Sequence, residues 1–224
     1  MGNAKSKAVE QTVRATALQP LQAPVPILGA RHCLESARTF LVRHKTRGSE
    51  MTVSVYDYAN ETRGARAFQV NGTQLFFTVC GAEDSDAIVR VRPVNQVNFA
   101  VETPAPTLRE TTVHLYTLKR MLKENTPVTI GVVKDQLTGH SYRLGYTGVW
   151  KYGVVIWLAS EKTPDCPTTI AKTYPSHRGG IQVSYCLEVV EGVDMAALMT
   201  MIAVLDMGPY ASSPGLGASM GVMG

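Results

Sequence analysis

The residues of this sequence best suited to chemistry are its second residue and its basic clusters. The chain opens MGNAKSK, which meets the pattern for N-myristoylation: Gly2 becomes the N-terminus once Met1 is removed, and Ser6 stands at the required offset. One myristoyl chain holds a protein to a bilayer only marginally, with an association constant on the order of 10⁴ M⁻¹, so stable attachment needs a second contribution. Lys5, Lys7 and Arg14 are expected to supply it as membrane contacts, each cation adding about 1 kcal/mol beside an anionic leaflet. Ser6 lies between the two lysines, so phosphorylation there would add negative charge and weaken attachment.

Two more clusters are candidates for phosphate binding. Arg90 and Arg92 in IVRVR are two apart in a strand-like run, so both guanidinium groups leave one face and are able to clamp phosphate oxygens by paired hydrogen bonds. The plainer alternative is an ordinary solvent-facing strand edge. Lys119, Arg120 and Lys123 in YTLKRMLKEN put three cations within five residues; for them the alternative is a solvated turn.

Other polar groups form no reactive pattern. Glu83, Asp84 and Asp86 in GAEDSDA are acidic, but the twelve-position spacing of a Ca²⁺ loop with its terminal Glu is missing. His32, His44, His114, His140 and His177 show no metal spacing, and no serine sits in a GxSxG turn. Cys33, Cys80, Cys166 and Cys186 form no CxxC or Cys/His ligand set and read as thiols in a reducing compartment. No catalytic residue, metal or cofactor is therefore expected, and the protein is not expected to be an enzyme.

The position of charge also narrows the classes of partner. Of the net charge of +4, residues 1–50 carry eight basic and three acidic side chains, which leaves the remainder at −1. A nucleic-acid-binding domain ordinarily has its own basic patch, so nucleic acid is not an expected partner. A basic N-terminal arm acting on a membrane or a protein is. The first apolar run follows charged and polar residues and is broken by prolines, so no secretory signal is expected.

The element around which the chain is organised lies near its end. Residues 181–190 are β-branched and aromatic and read as a strand; Gly192 breaks it and Asp194 offers a helix N-cap. Residues 195–205, MAALMTMIAVL, contain one polar side chain, Thr200. A helix apolar on every side must be enclosed by protein or lie in lipid. At about 1.5 Å per residue it spans roughly 16 Å, against about 30 Å for a bilayer core. It is expected to be buried inside a β-structure.

Upstream, short strands alternate with turns from residue 39 to residue 190, about twelve in all, with no amphipathic helices between them. Asn71-Gly72 is the strongest hairpin signal. Trp150 and Trp157 in VWKYGVVIWLAS are expected in barrel packing. The fold class expected is mainly β: a closed antiparallel barrel of roughly twelve strands around the C-terminal apolar helix, since closure removes exposed edges and supplies a lumen. Residues 1–35 should be a basic arm in which Pro20, Pro24 and Pro26 favour an extended tether. The barrel domain should cover residues 36–208, and residues 209–224, rich in Gly, Ser and Met, should form a flexible tail.

These residues carry a family resemblance. A strand followed by EGVDMAALMTMIAVLD, after a run of hairpins that includes SVYDY, AFQV and LFFTV, resembles the tubby-like superfamily, in particular its LURP-one-related branch, and is more distantly similar to phospholipid scramblases. The resemblance covers roughly residues 36–208. It implies a twelve-stranded barrel around a buried helix, with membrane or phosphoinositide association in several relatives, some of which carry a Lys-x-Arg pair on a strand with the spacing of Arg90 and Arg92. The expected function is that of a non-enzymatic, N-myristoylated adaptor on the cytoplasmic face of a membrane. It would bind anionic lipid headgroups, and a protein partner through the Pro-rich arm or the tail. A scramblase-like lipid-translocating protein and a cytoskeletal or axonemal scaffold are the alternatives.

Overall fold

The computed structural model describes residues 2–47, 50–72, 76–82, 87–104, 112–123, 126–149, 153–176 and 184–206. Glu83, Asp84, Asp86, Trp150, His177 and the tail 209–224 lie outside the described residues, as do the side chains of Lys5 and Lys123.

Twelve antiparallel strands close into a barrel. In chain order they are β1 (Arg38–Arg47), β2 (Glu50–Ala59), β3 (Thr62–Gly72), β4 (Phe77–Cys80), β5 (Ala87–Pro93) and β6 (Asn98–Glu102). β7 (His114–Lys123), β8 (Thr126–Lys134), β9 (Ser141–Val149), β10 (Gly153–Ser160), β11 (Thr168–Pro175) and β12 (Ser184–Val189) complete it. Each strand pairs with the next, and β1 pairs with β12, Arg38 opposite Val189. The period of two decides which side chains enter the lumen: Met51, Val53 and Val55 of β2 and Val89 and Val91 of β5 point inward and are buried.

The lumen holds α2 (Met195–Asp206). Every residue from 195 to 205 is buried, so the helix has no wet face, as its composition requires. Within 195–205 the one polar side chain is satisfied inside: Thr200 Oγ1 donates to the Ala197 carbonyl at 2.7 Å and shares a hydrogen bond of 2.9 Å with Tyr116 Oη. Burial, partly offset by that bond, pushes the Tyr116 phenol well up and keeps it neutral.

The barrel has two unlike rims. At one, α2 begins and the hairpins β2–β3, β4–β5, β6–β7, β8–β9 and β10–β11 turn; at the other, α2 ends and the remaining hairpins turn. We call them the helix-start and helix-end rims.

Two expectations are corrected. The arm is not an extended tether throughout: residues 2–15 form α1 (Gly2–Ala15), and a strap further on packs across the helix-start rim with Val25 and Ile27 buried. Asn71-Gly72 is not the turn of its hairpin but the end of β3, with Asn71 opposite Thr78 and Gly72 opposite Phe77. Glycine is needed there because the Phe77 ring fills the space of a side chain: a Cβ on Gly72 would lie 2.1 Å from it. Trp157 packs on the outer face of the barrel wall, half-buried across Gly145, with Nε1 donating to Thr147 Oγ1 at 3.2 Å.

Candidate functional site

α1 leads from Gly2 to a seat on the outside of the barrel. Its last turn brings Val13 and Arg14 against the helix-end margin of β10 and β11. Val13 is buried over Gly153, whose φ of +136° and lack of a side chain leave room: a Cβ there would lie 3.0 Å from Val13 Cγ2. The Arg14 guanidinium donates to the Pro175 carbonyl at 2.8 Å, lies 4.0 Å from the centre of the Tyr174 ring, and pairs with Glu10 at 2.9 Å.

Beneath it Lys172, 7% exposed, donates to the carbonyls of Arg14 at 2.6 Å and Thr16 at 3.0 Å. An ammonium at a helix C-terminus satisfies orphan carbonyls and complements the helix dipole. Glu188 holds Lys172 in place at 3.3 Å and accepts a hydrogen bond from Tyr174 Oη. Burial and the Glu188 carboxylate both push the Tyr174 phenol up. Arg14, expected as a membrane contact, is thus a fastening between α1 and the barrel. Lys7 is exposed on α1, and Gly2, Lys5 and Ser6 fall in its first turns.

At the helix-start rim Asp194, 2% exposed, is the N-cap its position in the sequence suggests. Oδ1 accepts from Ala197 N at 3.1 Å, while Oδ2 accepts from Ile27, Leu28 and Gly29 N at 2.9, 2.6 and 3.2 Å. Nearby, burial and the Asp194 and Asp135 carboxylates push the Cys33 thiol up to about 11. That is the reverse of the activation a nucleophilic cysteine needs. None of the four cysteines is in a disulfide.

The basic pair on β5 projects outward as its spacing predicts, since Val89 and Val91 take the lumen. The two side chains have different surroundings. Arg92 pairs with Glu102 at 2.7 Å. Arg90 lies 4.1 Å from the centre of the Phe76 ring, its Nε buried without a hydrogen-bond partner.

The second basic cluster is divided by the barrel wall. Lys119 is exposed. Arg120 turns inward, donates to the Val204 carbonyl at 2.6 Å and stands 5.1 Å from the centre of the Phe99 ring. It caps the C-terminus of α2, so its guanidinium is directed into the barrel and away from Lys119, a correction to the expected cluster that follows from the alternation of β7. Lys123 closes β7.

The sequence pointed to neither Lys172, Tyr174 and Glu188 as a seat nor Asp194 as a tie to the strap. The one available signal was a lysine at the centre of a strand flanked by buried positions. Among the described residues no group of histidine, cysteine and carboxylate side chains is arranged to hold a metal ion, and no helix is long and apolar enough to cross a membrane. Comparison with known protein families and with curated protein sequences finds no match.

Proposed function

We propose that this protein is a non-enzymatic, membrane-tethered barrel of tubby-like type. It is acylated at Gly2, held to an anionic leaflet on the cytoplasmic side by Lys5 and Lys7, and acts as an adaptor for lipid headgroups or a protein partner. The observation that carries the reading is the coupling of the MGNAKSK start to a helix fastened at its far end. The seat formed by Lys172, Tyr174 and Gly153 ties α1 to the barrel wall, so an acyl chain on Gly2 would hold the folded domain rather than a loose tail. The apolar helix enclosed by twelve strands supports the tubby-like assignment together with the resemblance in sequence. Its complete burial also favours a peripheral over an inserted protein.

The test is intact-mass analysis of the full chain from eukaryotic cells. The reading predicts loss of Met1 and gain of one myristoyl group, abolished in Gly2→Ala. A chain that keeps Met1 or carries an N-acetyl group instead would overturn it.

A further inference from the structure

The barrel is electrostatically polar along its axis. Among the described residues, the connections and the strap at the helix-start rim carry Glu35, Glu61, Asp135, Glu161, Asp165, Glu191 and Asp194 against Arg31 and Lys162. Described connections at the helix-end rim, residues 76, 94–97 and 176, carry no charge.

Exposed apolar side chains occur at both rims, so it is charge that distinguishes them. At the helix-end rim Val94 and Val97 form the tip of the β5–β6 hairpin, 55% and 42% exposed. Met121 is also exposed, on β7 beside the exposed Lys119, and Lys119 is opposite Asn98 in the ladder. The tip is rigid, since Asn95 Oδ1 accepts from Val97 N at 3.0 Å and Asn98 N at 2.9 Å. At the other rim Leu137, Val113 and Leu115 are 73%, 59% and 37% exposed, but they stand among the acidic connections, which an anionic surface would repel.

The seat of α1 is on the same helix-end margin, at Gly153 and Pro175, nearly opposite the β5–β6 tip in the ring of strands. A flat surface can meet both at once. We infer that the helix-end rim is the face laid against an anionic bilayer, with Val94, Val97, Lys119 and Met121 touching lipid and the acidic rim turned away. This rests on the tethered reading above and adds to it an orientation.

The experiment uses the full chain, co-expressed with an N-myristoyltransferase, and phosphatidylcholine vesicles with and without phosphatidylserine. Amide exchange is compared between free and vesicle-bound protein. The expected result is slower exchange at residues 94–97 and 119–121 on binding, with no change at residues 135–140. In flotation, Lys119→Gln should weaken binding roughly fivefold, and adding Val94→Asp and Val97→Asp should bring the loss beyond about tenfold. Leu137→Asp with Lys162→Gln should leave binding within about twofold of the wild type. Protection at the acidic rim, or bound protein with neither rim protected and all variants equal, would overturn the orientation while leaving the tether intact. A wild-type chain that does not float would overturn both.

Discussion

One oxygen of the Asp194 carboxylate accepts the backbone N–H of Leu28 at 2.6 Å, joining the start of the central helix to a residue 166 positions earlier. The same carboxylate caps α2 through Ala197. One buried side chain therefore orders both the helix in the lumen and the strap that covers the rim. Asp194→Ala removes an N-cap worth about 0.5–2 kcal/mol and leaves backbone donors unpaired at about 1–3 kcal/mol each. We predict a loss of about 3–5 kcal/mol by urea denaturation, with Asp194→Asn losing less because its carbonyl still accepts.

Adjacent Lys119 and Arg120 are predicted to separate by assay. Arg120→Ala strips the Val204 carbonyl of its charged donor and should destabilise the barrel by about 1–2 kcal/mol. Lys119→Ala alters an exposed side chain and should leave stability within about 0.5 kcal/mol. Urea denaturation of both variants checks the pair.

Lys172 is predicted to control the docking of α1 rather than the fold of the barrel. Lys172→Met removes the cation from the carbonyls of Arg14 and Thr16 and from Glu188. Docking should weaken by about 2 kcal/mol, seen as roughly thirtyfold faster amide exchange in α1. The exchange of β1–β12 should hold.

Stability should also depend on His32. Burial lowers its pKa below 6.5, the nearby Arg31 charge assists, and the Asp194 carboxylate opposes them. The folded state therefore disfavours the imidazolium. Its contribution is fully present above pH 6.5 and is lost as pH falls from there through the lowered folded value. His32→Gln should flatten the stability profile in that window, measured by denaturant midpoints across pH.

How far these features were legible in the sequence depends on how local their causes are. The lumen helix was readable because residues 195–205 offer only Thr200 to water, and a helix without a polar face has few places to go. The strands were readable where β-branched residues alternate, as in β2 and β5. Gly72 was misread because its reason is Phe77 across the ladder, whereas Asn-Gly is ordinarily a turn signal. Arg120 read as solvated because the register that aims it at Val204 is invisible in a run of cations. The strap read as a tether because its prolines lack N–H groups, yet Ile27, Leu28 and Gly29 supply the donors that Asp194 accepts.

The most direct measurement of the central claim is flotation of the myristoylated full chain and of Gly2→Ala with phosphatidylserine-containing vesicles, with matched unfolding curves to show equal stability. The account predicts that the wild type floats and that Gly2→Ala stays with the soluble protein while unfolding at the same denaturant concentration. Equal flotation of the two, or failure of the acylated chain to float, would contradict it.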